Sequence, residues 1–239
     1  MDTLYLVMPA YNEGPNIERV VREWYPILAQ ASDDSRMVVA DSGSVDETHE
    51  ILEKLQTEFP GLEILSDTDR QHGPKLMSLY ALAISRGADY IFQTDSDGQT
   101  DPGEFAMFWE RREKYAAILG NRTSRGDGAQ RAFVERVVCT LLRATFGVKV
   151  PDANAPFRLM RADVVAAYLD RLPADYALPN IMLTTYFVYY KEHVLFREIS
   201  FRPRAAGENS INIPRIVGIG WQAIKDFQGF RREMKKRNA

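Results

Sequence analysis

The chain has 239 residues, 45% of them hydrophobic and 26% charged, the composition of an ordinary water-soluble domain with enough length for a sizeable core. No stretch approaches the roughly eighteen uncharged apolar residues of a membrane-spanning helix, and the N-terminal MDTLYLVMPAYNE has no basic region ahead of its short apolar run, so neither a span nor a signal peptide is expected. One cysteine and three histidines are too few for an internal disulfide or a zinc cluster, and a reducing cytoplasm is the expected compartment.

In chain order, Leu4–Pro9 reads as a buried strand, and Ile17, Val20, Val21, Trp24 and Leu28 as the apolar face of a helix. Met37–Ala40 is a second strand, and Ser44 with Glu47 reads as a capping box opening a helix over Asp46–Phe59. Leu62–Leu65 is a strand, Pro74–Arg86 a helix, Tyr90–Thr94 a strand, Asp101–Lys114 a helix and Ala117–Asn121 a fifth strand. This alternation predicts a mainly parallel α/β sheet with its ligand at the carboxyl ends of the strands. Further on, 125–130 reads as a polar loop, and Ala132–Phe146 as a helix with Phe133, Val137, Leu141 and Ala144 on its apolar face. Val150–Pro156 reads as irregular, 162–190 as mostly helical, Val194–Phe201 as a strand and Pro214–Met234 as a last helix. With no linker or repeat in view, one domain of two unequal halves is the simplest organisation.

The expected strand ends carry the polar chemistry: Pro9-Ala-Tyr11-Asn-Glu13, Asp41-Ser-Gly-Ser, and Asp95-Ser96-Asp97-Gly-Gln99. No Gly-x-Gly-x-x-Gly turn and no P-loop follows the first strand. Carboxylates at i and i+2 after an apolar strand can meet one hard divalent cation. Arg122, Arg131, Arg158, Arg202 and Arg204 are candidate phosphate contacts because a guanidinium presents paired donors to oxyanions. Lys75 follows His72-Gly73-Pro74 at a helix start, where anions are attracted. Cys139 reads as an inert residue of a helix core.

Taken in order, Pro9–Glu13, Asp41-Ser-Gly-Ser-Val-Asp46-Glu-Thr48 and Asp95–Pro102 resemble the successive signatures of family 2 glycosyltransferases with the GT-A fold. Gly120-Asn121-Arg122, Asp152 with Pro156-Phe-Arg158-Leu, and Arg204-x-x-Gly207-x-x-Ser210 resemble the polyprenyl-phosphate sugar synthases of that family. The resemblance implies a GT-A catalytic domain whose residues 1–125 form the nucleotide-sugar half and 126–212 the acceptor half, followed by an amphipathic basic helix over 213–239. It implies an inverting transfer from a nucleoside-diphosphate sugar, uridine favoured over guanosine, to an acceptor, polyprenyl phosphate favoured over a hydroxyl.

On this reading Pro9, Tyr11, Glu13, Asp41, Lys75, Asp95 and Ser96 line the nucleotide site, and Asp95, Asp97 and Gln99 hold Mg²⁺ or Mn²⁺. Asp97, Asp152 and Arg204 are the catalytic candidates, with Asp152 a general base for a hydroxyl acceptor or a positioner for a phosphate. Arg122, Arg131, Arg158, Arg202 and Ser210 belong to the phosphate and acceptor side. Asn180 stands where relatives often carry a Glu at a helix start. A nucleotidyltransferase fits less well, since the turn after the first strand lacks a glycine-rich basic loop, and the intact acidic set argues against a non-catalytic binding protein. From Arg197 onward ten Lys/Arg face four Asp/Glu. The last helix therefore has two expected uses, docking on an anionic membrane surface or packing on the protein. Nucleic acid is not an expected partner, and the oligomeric state is left open.

Overall fold

The computed structural model describes residues 1–125, 129–204 and 213–237; the side chains at 124, 125, 129–131, 213–221 and 237 are outside that description. Among the described residues, seven strands form one sheet in the order β3-β2-β1-β4-β6-β5-β7. They are β1 (Leu4–Ala10), β2 (Arg36–Asp41), β3 (Leu62–Leu65), β4 (Tyr90–Thr94), β5 (Ala117–Arg125), β6 (Phe157–Arg161) and β7 (Val194–Phe201). Only β6 runs against its neighbours, pairing antiparallel with β4 and β5, while β5 and β7 are parallel. From β1 the chain moves outward through β2 to β3 and then returns to place β4 on the other side of β1. That reversal opens a crevice at the carboxyl ends of β1 and β4, the usual ligand position in open α/β sheets.

Successive side chains of a strand point to opposite faces, and the sequence makes both faces apolar. Tyr5 and Val7 of β1 join a core with α3 (His72–Ser85), α5 (Ala129–Phe146), α6 (Ala162–Leu169) and α7 (Pro179–Tyr189). Leu4, Leu6 and Met8 join the opposite core with α1 (Gly14–Trp24), α2 (Thr48–Glu58) and the short α4 (Ala106–Trp109). In that second core Phe92 lies 5.3 Å from Trp24, 4.9 Å from Phe105 and 4.8 Å from Phe157, ring centre to ring centre. These contacts seat α1 and β6 against the centre of the sheet.

The structure corrects several local expectations. Asp101–Lys114 is not one helix: Pro102 starts a 3₁₀ turn capped by Asp101, which accepts from the Gly103 amide at 3.0 Å, and α4 follows. The expected capping box does not form: Ser44 bonds Asp41 instead, and at the α2 start Asp46 Oδ1 accepts from the Thr48 amide at 3.1 Å. Residues 157–161, to which the sequence pattern assigns no element, form a central strand between β4 and β5, with Phe157, Leu159 and Met160 buried. In α5, Phe133 is 63% and Val137 41% exposed, and the inward face belongs to Leu142 and Phe146.

The last helix, α8 (Ile213–Arg237), decides between its two expected uses. Ala223, Phe227, Phe230 and Met234 are buried against the first core, with Phe227 5.6 Å from Phe146 and Phe230 5.2 Å from Tyr176. The described part of the stripe therefore packs on the protein, and membrane insertion of these residues is ruled out in this packing. Ile216, Ile219 and Trp221 fall among the undescribed side chains. Among the described residues no helix is long and apolar enough to cross a membrane. Phe227→Ala should lower the unfolding free energy by about 3–5 kcal/mol in urea titration, the usual cost of emptying a buried aromatic site. A loss below about 0.5 kcal/mol would show that α8 does not pack on the core.

Candidate active site

The residues expected on the nucleotide side meet at the ends of β1, β2 and β4. Lys75, in the first turn of α3, is 1% exposed and donates from Nζ to the carbonyls of Ala10 at 2.5 Å and Ser42 at 3.1 Å. It thus clasps the exits of β1 and β2 rather than standing at the surface, and its ammonium lies 5.4 Å from the centre of the half-exposed Tyr11 ring. Burial pulls the Lys75 pKa down, while Asp41 and Asp69 oppose the shift. Gly73 makes this placement possible, since a Cβ there would sit 2.4 Å from the Tyr176 carbonyl oxygen.

Hydrogen bonds lace the loops after β1 and β2 to each other. The Asn12 amide donates to Ser44 Oγ (3.0 Å), Glu13 to Thr48 Oγ1 (2.8 Å) and Gly14 to Asp46 Oδ2 (3.0 Å), while Asn12 Oδ1 accepts from the Val45 amide (2.9 Å). Asn12 adopts φ +54°, a left-handed conformation that asparagine tolerates. Asp41, 3% exposed, accepts from Ser44 Oγ at 2.5 Å and has its other oxygen 3.0 Å from His49 Nδ1. Each oxygen retains a second lone pair, so this geometry still permits acceptance from a bound base. Pro9 lies inside β1 and is buried, so it contributes its carbonyl, which accepts from Ser96 Oγ at 2.8 Å.

Asp95 and Asp97 are both half-buried just beyond β4. The turn between Asp97 and Gln99 needs Gly98, which has φ +73° and where a Cβ would fall 2.2 Å from the Arg19 guanidinium. Among the described residues no group of three or more His, Cys, Asp or Glu could hold a metal. The protein therefore offers two adjacent carboxylates, which fits a hard divalent cation that takes its remaining oxygens from water and a diphosphate. Gln99, expected as a third ligand, is 2% exposed and donates from Nε2 to the Arg202 carbonyl at 2.7 Å, while the Arg202 amide returns a bond to the Gln99 carbonyl at 2.8 Å. This ties the β4 loop to the exit of β7.

Arg204 follows that tie and donates to Glu13 Oε1 at 2.5 Å. Burial raises the Glu13 pKa and the nearby Asp97 charge adds to the rise, against lowering by Asn16 and Arg204. Arg202 is half exposed and pairs with Asp101 at 2.7 Å. Arg131 and Ser210 fall outside the described side chains.

Among the residues expected on the acceptor side, Asp152 is 3% exposed, and Arg122 holds it with a fork: Nε to Oδ2 at 2.7 Å and a terminal nitrogen to Oδ1 at 2.9 Å. The amides of Arg122 (3.3 Å) and Asn154 (3.2 Å) also donate to this carboxylate. Glu135 of α5, which the sequence did not single out, lies 3.6 Å from Arg122 and accepts from the Ala153 amide at 2.7 Å. Burial, with Asp152 close by, pushes the Glu135 pKa up. Arg158 is a correction: it is 1% exposed, donating to Thr184 Oγ1 at 2.8 Å and to the Ala153 carbonyl at 3.5 Å, so it braces β6 against α7 beneath the site. Cys139 is pushed up to about 12 by burial and by Glu135. Its alkylation at pH 8 should therefore run about 10³-fold slower than that of an ordinary cysteine, and a free-thiol rate measured by intact mass would contradict this environment.

Comparison with known proteins agrees with this geometry. Residues 5–169 match the family model described as Glycosyl transferase family 2. The undecaprenyl-phosphate 4-deoxy-4-formamido-L-arabinose transferase of Pseudomonas aeruginosa (strain LESB58) is 24% identical over 225 residues, covering 94% of this chain and 65% of that protein. Its counterpart from Pseudomonas fluorescens (strain SBW25) is 22% identical over 215 residues, covering 90% and 61%. The chain thus spans less than two thirds of the length of these curated relatives. Glucosyl-3-phosphoglycerate synthase from Mycobacterium tuberculosis, solved in complex with phosphoglyceric acid, superposes with a TM-score of 0.69 at 19% identity, covering 96% of this chain and 80% of the other. The same enzyme with Mn²⁺, UDP-glucose and phosphoglyceric acid gives 0.68 at 19%, covering 96% and 79%. The fold is the expected GT-A architecture, and with the family model covering most of its length the chain belongs to glycosyl transferase family 2.

Proposed function

We propose that this protein transfers a sugar from UDP to the phosphate of a polyprenyl phosphate, with inversion at the anomeric carbon. The observation that carries the choice of acceptor is the state of Asp152, whose two oxygens are engaged by the Arg122 fork and by two backbone amides. A hydroxyl acceptor must lose a proton to a base, whereas a phosphate monoester arrives as an anion. The curated relatives, named for undecaprenyl phosphate, support the same acceptor class. Uridine is favoured by the UDP complexes of the structural neighbours.

On this reading Tyr11, Glu13 and Asp41 bind the base and ribose, with Lys75 and Ser96 fixing the loops that carry them. Asp95 and Asp97 hold Mg²⁺ or Mn²⁺, which when bound offsets charge building on the leaving diphosphate. Arg204 serves the diphosphate by exchanging its Glu13 contact for a phosphate oxygen. The acceptor oxygen attacks the anomeric carbon from the face opposite the departing diphosphate, so one carbon–oxygen bond forms as another breaks. Arg122 and Asp152 set the sugar and the acceptor phosphate, and no proton needs to leave the acceptor.

At the end of α8, Arg231, Arg232, Lys235 and Lys236 are exposed. They suit an electrostatic contact with anionic lipid worth about 1 kcal/mol per cation near the surface, without use of the buried stripe.

Two measurements test this function. Incubation of UDP-sugars with polyprenyl phosphate and Mn²⁺ should release UDP, and Asp97→Ala should lose both that release and the tightening of UDP binding by Mn²⁺ while keeping a cooperative melt; release that survives chelation would overturn the metal assignment. Asp152→Asn should lower turnover without changing the shape of the pH profile. Loss of the profile's acidic limb in this variant would instead make Asp152 a base and favour a hydroxyl acceptor.

A further inference from the structure

Between β4, α3 and α7 lies a row of buried polar side chains that the proposed chemistry does not use. Gln93 is 0% exposed, Tyr80 0% and Asn180 2%. Tyr80 Oη donates to Asn180 Oδ1 at 2.7 Å, Asn180 Nδ2 donates to Gln93 Oε1 at 3.0 Å, and Gln93 Nε2 donates to Asp95 Oδ1 at 3.2 Å. Every bond points the same way, toward the carboxylate.

The direction has a chemical cause. An ionised carboxylate only accepts, so Asp95 requires the N–H end of the Gln93 amide. Gln93 must then present its oxygen to position 180, which requires a donor there, and Asn180 in turn leaves its own oxygen to be filled by the Tyr80 hydroxyl. Burial pushes the Tyr80 pKa well up, with Asp95 adding to the rise and Arg158 opposing it, which keeps the hydroxyl protonated and able to donate. A carboxylate at position 180 would place oxygen against the Gln93 oxygen, so the amide of Asn180 suits this network in a way an ionised acid would not.

We propose that Tyr80, Asn180 and Gln93 are positioning residues whose hydrogen-bond relay fixes the Asp95 carboxylate for its divalent cation, coupling metal affinity to the start of α7. The inference rests on the reading of Asp95 and Asp97 as the cation ligands. Groups that orient a ligand from behind typically contribute about 10- to 100-fold in metal affinity, and members of one series are non-additive.

The test is Mn²⁺ affinity by titration calorimetry at saturating UDP, with UDP affinity in EDTA measured beside it, on the full chain. Gln93→Met should weaken Mn²⁺ about 10-fold and leave UDP affinity in EDTA within about twofold. Tyr80→Phe, which removes one hydroxyl and carries the test should Gln93→Met fail to fold, should weaken Mn²⁺ by a smaller factor. The double variant should bind Mn²⁺ as Gln93→Met does. Folded variants with unchanged Mn²⁺ affinity, losses that add in the double variant, or an equal fall in UDP affinity in EDTA would overturn the relay while leaving the metal reading in place. Absence of Mn²⁺ binding by the unaltered protein with UDP would overturn both.

Discussion

The position of β4 between parallel β1 and antiparallel β6 is the constraint on which the site depends. Its exit lies beside that of β1 at the crevice of the sheet, so Asp95, Ser96 and Asp97 emerge against the loop that carries Tyr11 and Glu13. Alternation along the strand gives its two faces separate tasks. Phe92 anchors one face among Trp24, Phe105 and Phe157, and Gln93, on the other, meets Asn180. A register slip of one residue would exchange those faces, burying an amide among aromatic rings and separating Asp95 from its donor.

Around this centre several acids are paired with the chain's own cations. Glu13 holds Arg204, Asp101 holds Arg202, and Asp152 and Glu135 share Arg122. Charge-assisted bonds of this kind orient a guanidinium and offset the desolvation of both partners. On the proposed function, a phosphate binding at Arg204 or Arg122 would exchange one anion for another, and its net gain would be the difference between two ion pairs. The Gln99–Arg202 tie holds the segment carrying Arg204 across the β4 loop, beside the carboxylates.

The alternation of apolar strands with amphipathic helices was legible in the sequence because both periods follow local backbone geometry. The strand-end acids were legible too, since Asp95-x-Asp97 and the Asp41 turn are short motifs whose chemistry does not depend on distant residues. Less was legible in 101–114 and 157–161. A helical pattern interrupted by Pro102 and a five-residue segment with arginine at two positions have no local signal strong enough to choose a state, and the choice fell to what the neighbouring strands could accept.

By itself, the sequence determined the α/β alternation, the acidic strand ends and, through them, the family. Tertiary structure alone decided which way each polar side chain serves. Lys75 closes two strand exits because Gly73 lets α3 come into contact with the 176–177 backbone. Arg158 goes under the site because its strand is central. Asp152 is engaged by Arg122, Asn180 completes a relay to Asp95, and the apolar stripe of α8 lies on the core. Each outcome depends on partners far away in the chain, and a hydrogen bond or a buried contact exists only when folding has brought both of its members together.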